Sequence, residues 1–299
     1  MGGGLCHFLS GRDSKVTATG RSDHFIFGSS EVDFLRLDVC NPVTTGPLPT
    51  SDIAFVCPWV NDVDEARSPS WIEQLLRRLV DADVRSVIYL STVWVYGAKP
   101  EGLLTESTVV GPTNSYGAAH LRNESALSDL AGDLGLDVSI LRMANLVGPD
   151  PFFRFRKKIA FAHELMAMAL DDQSVVLRSP PSTPRNFLTR SLFHHYLGPL
   201  IDRGASEGRV EVFNLGSGST GTVLEFAQRI ATLVEQHRGG PVRVEYPTES
   251  TSQVPFHLDT TRIRSLAGPG IDDLDLELSL VLDDVVVSRA QADEMEGPE

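Results

Sequence analysis

The sequence predicts an α/β protein built on an open, buried sheet, and three observations lead there. Val87, Ile88, Tyr89 and Leu90 form a short apolar run of the length and kind that suits a buried strand. Ile72, Leu75, Leu76 and Leu79 recur before it at the helical period, and residues 115–134 after it have helical character. Val138-Ser139-Ile140-Leu141-Arg142 then reads as another strand, so the two element types alternate. A chain of 299 residues has room for one full domain and a smaller appendage.

The stretch around the first of these strands carries the chemistry. It reads Ser91-Thr92-Val93-Trp94-Val95-Tyr96-Gly97, then a polar loop, then Asn114-Ser115-Tyr116-Gly117-Ala118-Ala119-His120. Thr92 falls where the strand gives out, and ligands of open α/β sheets gather at that carboxyl edge. Tyr116, in the first turn of the next helix, can point back toward it. A hydroxyl beside a phenol is the pair needed to protonate and deprotonate a carbinol oxygen while hydride moves.

These motifs resemble those of the extended short-chain dehydrogenase/reductase family, the sugar-nucleotide epimerases, dehydratases and reductases. Its members end a strand in Ser-Ser/Thr-x-x-Val-Tyr-Gly and follow it with Tyr-x-x-x-Lys. A second match is Leu141-Arg142-Met143-Ala144-Asn145-Leu146-Val147-Gly148-Pro149, similar to Leu-Arg-x-x-Asn-x-x-Gly-Pro. The resemblance implies a Rossmann-type, doubly wound parallel sheet in residues 1–148 and a small substrate-binding lobe in 149–299. It makes Thr92 and Tyr116 the catalytic hydroxyl pair and puts His120 where the lysine stands. It also implies that Asn145 touches the substrate's phosphates, although an asparagine there could equally cap or turn the chain.

Further along, Arg185-Asn186-Phe187-Leu188 resembles Arg-Asp-Phe-Val, whose arginine reaches a nucleotide diphosphate. Residues 212–218 and the helix over 222–234 form a structural match. Asp259-Thr260-Thr261-Arg262 echoes Asp-x-Ser-Lys, but the arginine that family members carry some nine residues earlier is absent. Arg154, Arg156, Lys157 and Lys158 form a basic cluster that suits either a diphosphate or a solvated helix start. A last helix is expected near 281–290.

The amino terminus departs from the family pattern of a strand, a Gly-x-x-Gly-x-x-Gly loop and a helix. Gly2-Gly3-Gly4-Leu5-Cys6-His7-Phe8-Leu9 lines up with the last glycine and the helix, which makes Gly2 a cofactor-binding candidate, or else a flexible end. Residues 15–19 fit the second strand. The first strand and the first two glycines, roughly ten residues, have no counterpart. A start assigned too late or a fragment is one reading, and a chain that holds dinucleotide poorly is the other. After the second strand, Arg21 could pair with a 2′-phosphate, which favours NADP over NAD, or be a solvated loop residue. Asp38 and Val39 resemble the pair beside the adenine, or Asp38 simply ends the strand over 32–37. Ile53–Val56 is the fourth strand, and Trp59 beyond it either roofs a pocket or packs under a loop. Residues 97–113 read as a loop long enough to help cover a substrate.

A net charge of −14 argues against nucleic acid as a partner. No apolar run approaches a membrane span and no export signal is visible, so a cytoplasmic, membrane-free protein is expected. Cys6, Cys40 and Cys57 suit neither a disulfide framework nor a zinc site, and no metal is expected. The function expected from the resemblance is an NAD(P)-dependent oxidoreductase or epimerase acting on a keto or hydroxyl group of a nucleotide-linked sugar. Dehydration ranks last, because Trp94 and Val95 follow Thr92 where dehydratases carry acids. A non-catalytic relative that binds a ligand or partner is the alternative. A homodimer through the helices beginning near Ser70 and Ser115 is expected by analogy. His120 sets the reservation: a lysine would lend the tyrosine a permanent charge, whereas a free imidazole, with a pKa of about 6.5, is mostly neutral at pH 7. His120 retains the capacity to donate to a ribose or relay a proton from Tyr116.

Overall fold

The computed structural model describes residues 2–20, 32–38, 46–58, 71–97, 101–150, 160–248 and 254–295. In chain order the first elements are α1 (Gly2–Ser10), β1 (Val16–Gly20), β2 (Val32–Arg36), β3 (Ile53–Val56), α2 (Trp71–Asp81) and β4 (Ser86–Thr92). A 3₁₀ turn over Val93–Tyr96 leads to β5 (Gly102–Leu104), α3 (Ser115–Leu134), β6 (Asp137–Met143) and β7 (Asn145–Val147). Then come α4 (Phe161–Asp172), β8 (Ser174–Val176), β9 (Pro184–Thr189), α5 (Arg190–Asp202), β10 (Val210–Leu215), β11 (Thr220–Thr222) and α6 (Val223–Arg238). The chain closes with β12 (Arg243–Glu245), β13 (Phe256–Leu258), α7 (Thr261–Ala267) and α8 (Leu274–Met295).

The main sheet runs β10-β6-β4-β3, all parallel. Every residue of β4 and of β6 is buried, which a strand reaches only when both faces are covered. The pleat divides the work. Val87, Tyr89, Val138 and Ile140 face Ile72, Leu75, Leu76 and Leu79 of α2 and Leu127 and Ala131 of α3. Ile88, Leu90, Leu141 and Met143 face Leu192, Phe193, Tyr196 and Leu197 of α5. Each such side chain withdrawn from water contributes about 1.5–3 kcal/mol before entropy is counted. The fold is therefore of the Rossmann type, as its sequence pattern implies. β10 lies beyond residue 148, yet it pairs with β6 from Val210↔Val138 to Leu215↔Met143, so the chain returns to this sheet late.

β1 and β2 pair in parallel as a separate sheet, and no strand among the described residues joins them to β3. α1 links the two regions. Its Leu5 enters the α5 side of the core, while Cys6 and Leu9 pack on Val16, Ala18 and Val32. Phe8 stacks on His194 at 4.2 Å, and Arg12 pairs with Asp202 at 2.7 Å.

Two expectations need correction. The region over 97–113 is not all loop, because β5 pairs in parallel with β13. A three-residue strand whose partner lies about 150 residues away leaves no local periodicity to read. The last helix begins earlier than expected, at Leu274. Asp273 accepts from the Leu276 amide at 3.0 Å and Asp275 and Glu277 occupy the first turn, where carboxylates suit the helix dipole.

Beneath the carboxyl edge of β4 lies a buried ion pair. Arg142 donates from Nη2 to Glu124 Oε2 at 2.7 Å and from Nε at 3.1 Å, and Ser91 Oγ donates to the other carboxylate oxygen. Arg142 Nη1 continues to the Tyr96 hydroxyl at 3.1 Å, which donates to Asn214 Oδ1 at 2.7 Å. The network ties α3, β4, β6 and β10 together. Truncating one member strands a buried charge, so Arg142→Met is expected to cost about 3–5 kcal/mol in urea unfolding. Arg12→Ala, which breaks a pair whose Asp202 side chain is 63% exposed, should cost under about 1 kcal/mol. Equal losses would contradict this account of the network.

Candidate active site

The site begins where β4 ends. The Thr92 hydroxyl accepts from the Trp94 amide at 3.3 Å and so caps the 3₁₀ turn over 93–96. Asn114 caps α3 in the same manner, accepting from the Gly117 amide at 2.7 Å. A side chain at Gly117 is forbidden: a Cβ there would lie 2.5 Å from the Trp94 carbonyl oxygen and 3.0 Å from Pro112 Cβ. The first turn of α3 therefore rests directly on the turn after β4. Its Tyr116 phenol lies within the influence of the Thr92 hydroxyl, which favours the ionised phenol.

That phenol is half-buried. Desolvation raises its pKa above the usual 10, and the neighbouring Thr92 hydroxyl works in the opposite direction. A tyrosine that must take up a proton at neutral pH would need a nearby cation as well. His120, one helical turn on, does not provide it. The imidazole is 1% exposed, and burial pushes its pKa down to about 4. Its Nδ1 lies 2.8 Å from the Tyr89 hydroxyl, and that hydroxyl accepts from Asn123 Nδ2 at 2.9 Å. With Tyr116 it makes an edge-on ring contact, centroids 4.7 Å apart. The hydrogen bond of His120 thus runs to Tyr89 and not along a relay from Tyr116. A buried phenol on the α3-facing side of β4 needs a polar partner, and His120 and Asn123 supply it.

The other candidates are placed as follows. Asn145, at the start of β7, donates from Nδ2 to the Asn186 carbonyl at 3.0 Å. Arg185 lays its guanidinium over the Trp94 indole, 5.2 Å from the centroid, and donates to the Pro184 carbonyl at 3.0 Å. Trp94 thus joins Arg185 to the turn that Thr92 caps. Gly2 is the first residue of α1 with open space about it, and at Gly4 the position of a Cβ is taken by the Arg190 guanidinium. Asp38 is half-buried just past β2. Arg262 pairs with Glu211 at 2.9 Å and covers the Phe213 ring, a structural task. Arg21, Val39, Trp59 and the basic cluster Arg154, Arg156, Lys157 and Lys158 lie outside the described residues.

Sequence reasoning missed Tyr89 and Asn123. Tyr89 reads as one apolar member of a strand. Asn123 carried a usable signal, since it lies three residues after His120 on the same helical face.

The buried histidine has a consequence for stability. Its folded pKa of about 4 lies below the unfolded value of 6.5, so the unfolded chain binds the extra proton between those limits. Stability is then complete above about pH 6.5 and falls as the pH drops toward 4. The stability linked to this proton is about 3 kcal/mol. His194, with its pKa also lowered to about 4, adds to the same slope. Urea unfolding between pH 7.5 and 4.5 should show a shallower loss for His120→Gln than for the unaltered protein; an unchanged slope would contradict the burial of a neutral imidazole.

Comparison with known proteins bears on the fold and on family likeness. Residues 71–188, which hold Thr92, Tyr116 and His120, match the NAD dependent epimerase/dehydratase family. The UDP-glucose 4-epimerase of Azospirillum brasilense is 29% identical over 192 residues, covering 56% of this chain and 54% of that protein. The chain spans about half the length of the curated relatives it matches. Among solved structures, MoeE5 in complex with UDP-glucose and NAD superposes with a TM-score of 0.73 at 21% identity, covering 96% of each chain. UDP-glucuronic acid 4-epimerase from Bacillus cereus, in complex with UDP-glucuronic acid and NAD, does so with a TM-score of 0.71 at 18% identity, covering 95% of each. Likeness at these identities speaks for the fold. Over residues 71–188 the chain is similar to the NAD dependent epimerase/dehydratase family, and the solved structures share its Rossmann-type fold.

Proposed function

We propose that this protein is an NAD(P)-dependent oxidoreductase or epimerase acting on a keto or hydroxyl group of a nucleotide-linked sugar. The observation that carries the reading is the meeting of Tyr116, on the first turn of α3, with Thr92 at the carboxyl end of a central parallel strand, where the hydroxyl acts on the phenol and the first turn of α3 rests on the backbone beyond the strand. The names of its relatives support the substrate class, UDP-glucose among them.

In this reading the Thr92 hydroxyl polarises the substrate oxygen and Tyr116 exchanges its proton. Bound NAD(P) would supply the hydride donor and acceptor. The chain's residues fit such a group at one point in particular: His120 Nε2 is buried and, among the described residues, has no hydrogen-bond partner. A ribose hydroxyl there would satisfy it. Gly2 and the amino end of α1 suit a pyrophosphate, and Asp38 with Val39 would lie by the adenine. Arg21 supports NADP over NAD. Asn145 and Arg185 would meet the nucleotide part of the substrate. The division into a dinucleotide-holding part, 1–148, and a substrate lobe, 149–299, belongs to the same reading, with β10 returned to the first. So does a homodimer through α2 and α3.

One observation favours the alternative of a non-catalytic relative. The place of the family's cationic lysine is held by an imidazole that stays neutral, so the phenol lacks the assistance a base at neutral pH requires. The two readings part on binding and turnover. NADPH or NADH should quench the intrinsic tryptophan fluorescence, NADPH at the lower concentration, and Tyr116→Phe should keep the quenching while losing turnover of UDP-glucose by about 100-fold or more. No quenching by either nucleotide would overturn the enzymatic reading, and turnover unchanged in Tyr116→Phe would remove the phenol from the chemistry.

A further inference from the structure

His120 does not stand alone where a lysine is expected. It comes with a partner on its own helix and another on the strand beneath, and the three form a chain of hydrogen bonds that is closed to solvent. Asn123 Nδ2 donates to the Tyr89 oxygen at 2.9 Å, and that oxygen lies 2.8 Å from His120 Nδ1. Asn123 is 6% exposed and Tyr89 is fully buried.

The donor inventory of these groups favours one place for the imidazole proton. A phenol has one proton to give and two lone pairs to offer. With Asn123 donating to one lone pair, Tyr89 can keep its own proton satisfied by giving it to His120 Nδ1. The reverse sense, Nδ1–H donating to the phenol, would leave both the Tyr89 proton and the Nε2 lone pair unmet in a buried site, whereas the first sense leaves only the Nε2 proton, the one a ligand can take up. Neutral imidazole carries one ring proton, so an acceptor Nδ1 requires Nε2–H. Nε2 is the atom that is buried with no hydrogen-bond partner among the described residues.

We propose that Tyr89 and Asn123 are positioning residues that lock His120 in its Nε2–H tautomer and so reserve one neutral N–H donor for a ribose hydroxyl of the bound dinucleotide. The proposal rests on the reading of the protein as a dinucleotide-binding enzyme. It adds a division of labour within the place that a lysine would fill: the hydrogen-bonding task is kept and the charge is not. A lysine needs no such support, because each of its protons is a donor. An imidazole can present a donor or an acceptor, and a lock on the far nitrogen decides which.

The test is nitrogen NMR of the full chain labelled with ¹⁵N-histidine, with the His120 signals identified by their loss in His120→Gln. The free protein at pH 7.5 should show a protonated Nε2 and an unprotonated Nδ1 at His120. On titration with NADPH or NADH the Nε2–H signal should move. Tyr89→Phe, which removes only the hydroxyl, should give a mixture of tautomers and weaken the nucleotide Kd by about 3- to 10-fold, the worth of one net hydrogen bond. Asn123→Ala should do the same more weakly, and serves as the second variant should the strand substitution fail to fold.

A protonated Nδ1 in the free protein, which is the sense expected if the Asn123 amide is turned to accept, would overturn the proposal whatever the binding shows. So would a tautomer and a Kd that Tyr89→Phe leaves unchanged. A released tautomer with unchanged Kd would overturn the assignment of the ribose as acceptor. If neither nucleotide binds the unaltered protein, the enzymatic reading falls and the assigned acceptor with it, and that result is told apart because the tautomer is read on the free chain.

Discussion

The site depends on one close approach. The first turn of α3 lies against the backbone of the turn after β4, with no side chain between them, because position 117 is glycine. Two side-chain caps hold the surfaces in register, Thr92 on the 3₁₀ turn and Asn114 on the helix. The phenol of Tyr116 reaches Thr92 because the two backbones meet in this way. Any bulk at residue 117 would lift the helix and part the pair. The sheet below is a rigid support for it, since β4 and β6 are buried along their whole length and pinned by the Glu124–Arg142 pair just under the edge.

On that support the protein carries an unusual balance of charge. Desolvation acts on both Tyr116 and His120, and in both it disfavours the ionised form. The result is a neutral pair where the family pattern has a phenol beside an ammonium. Hydrogen bonding takes over part of what charge would have done: Thr92 lowers the cost of ionising the phenol, and Tyr89 with Asn123 orders the imidazole. The phenol is left a weak base at neutral pH, and chemistry that relies on it is slower by about tenfold for each pKa unit not recovered.

Much of this was legible in the sequence, and unevenly. The run at 87–90 and the leucine spacing at 72–79 announced β4 and α2, because burial on both faces of a parallel strand and on one face of a helix each leave a periodic mark. The Ser-Thr-x-x-Val-Tyr-Gly and Tyr-x-x-x-His pattern placed Thr92 and Tyr116 at one edge because both motifs sit at element ends whose geometry is local. What could not be read depended on partners distant in sequence. β5 exists through β13, and β10 joins the main sheet from 67 residues beyond the end of β6. The hydrogen bond of His120 runs to Tyr89, which looks like any apolar strand residue until a fold sets it against α3. Arg185, expected at a diphosphate, lies on Trp94, a contact that no spacing rule foretells.

The most direct measurement of the central claim is the ultraviolet difference titration of Tyr116, taken as the unaltered protein minus Tyr116→Phe and repeated in a His120→Lys background. Phenolate absorbance from Tyr116 should appear only above pH 10 in the first case and at lower pH once an ammonium is installed beside it. Ionisation of Tyr116 near neutral pH with His120 in place, or a titration indifferent to the lysine, would contradict the account of a phenol left without a cation.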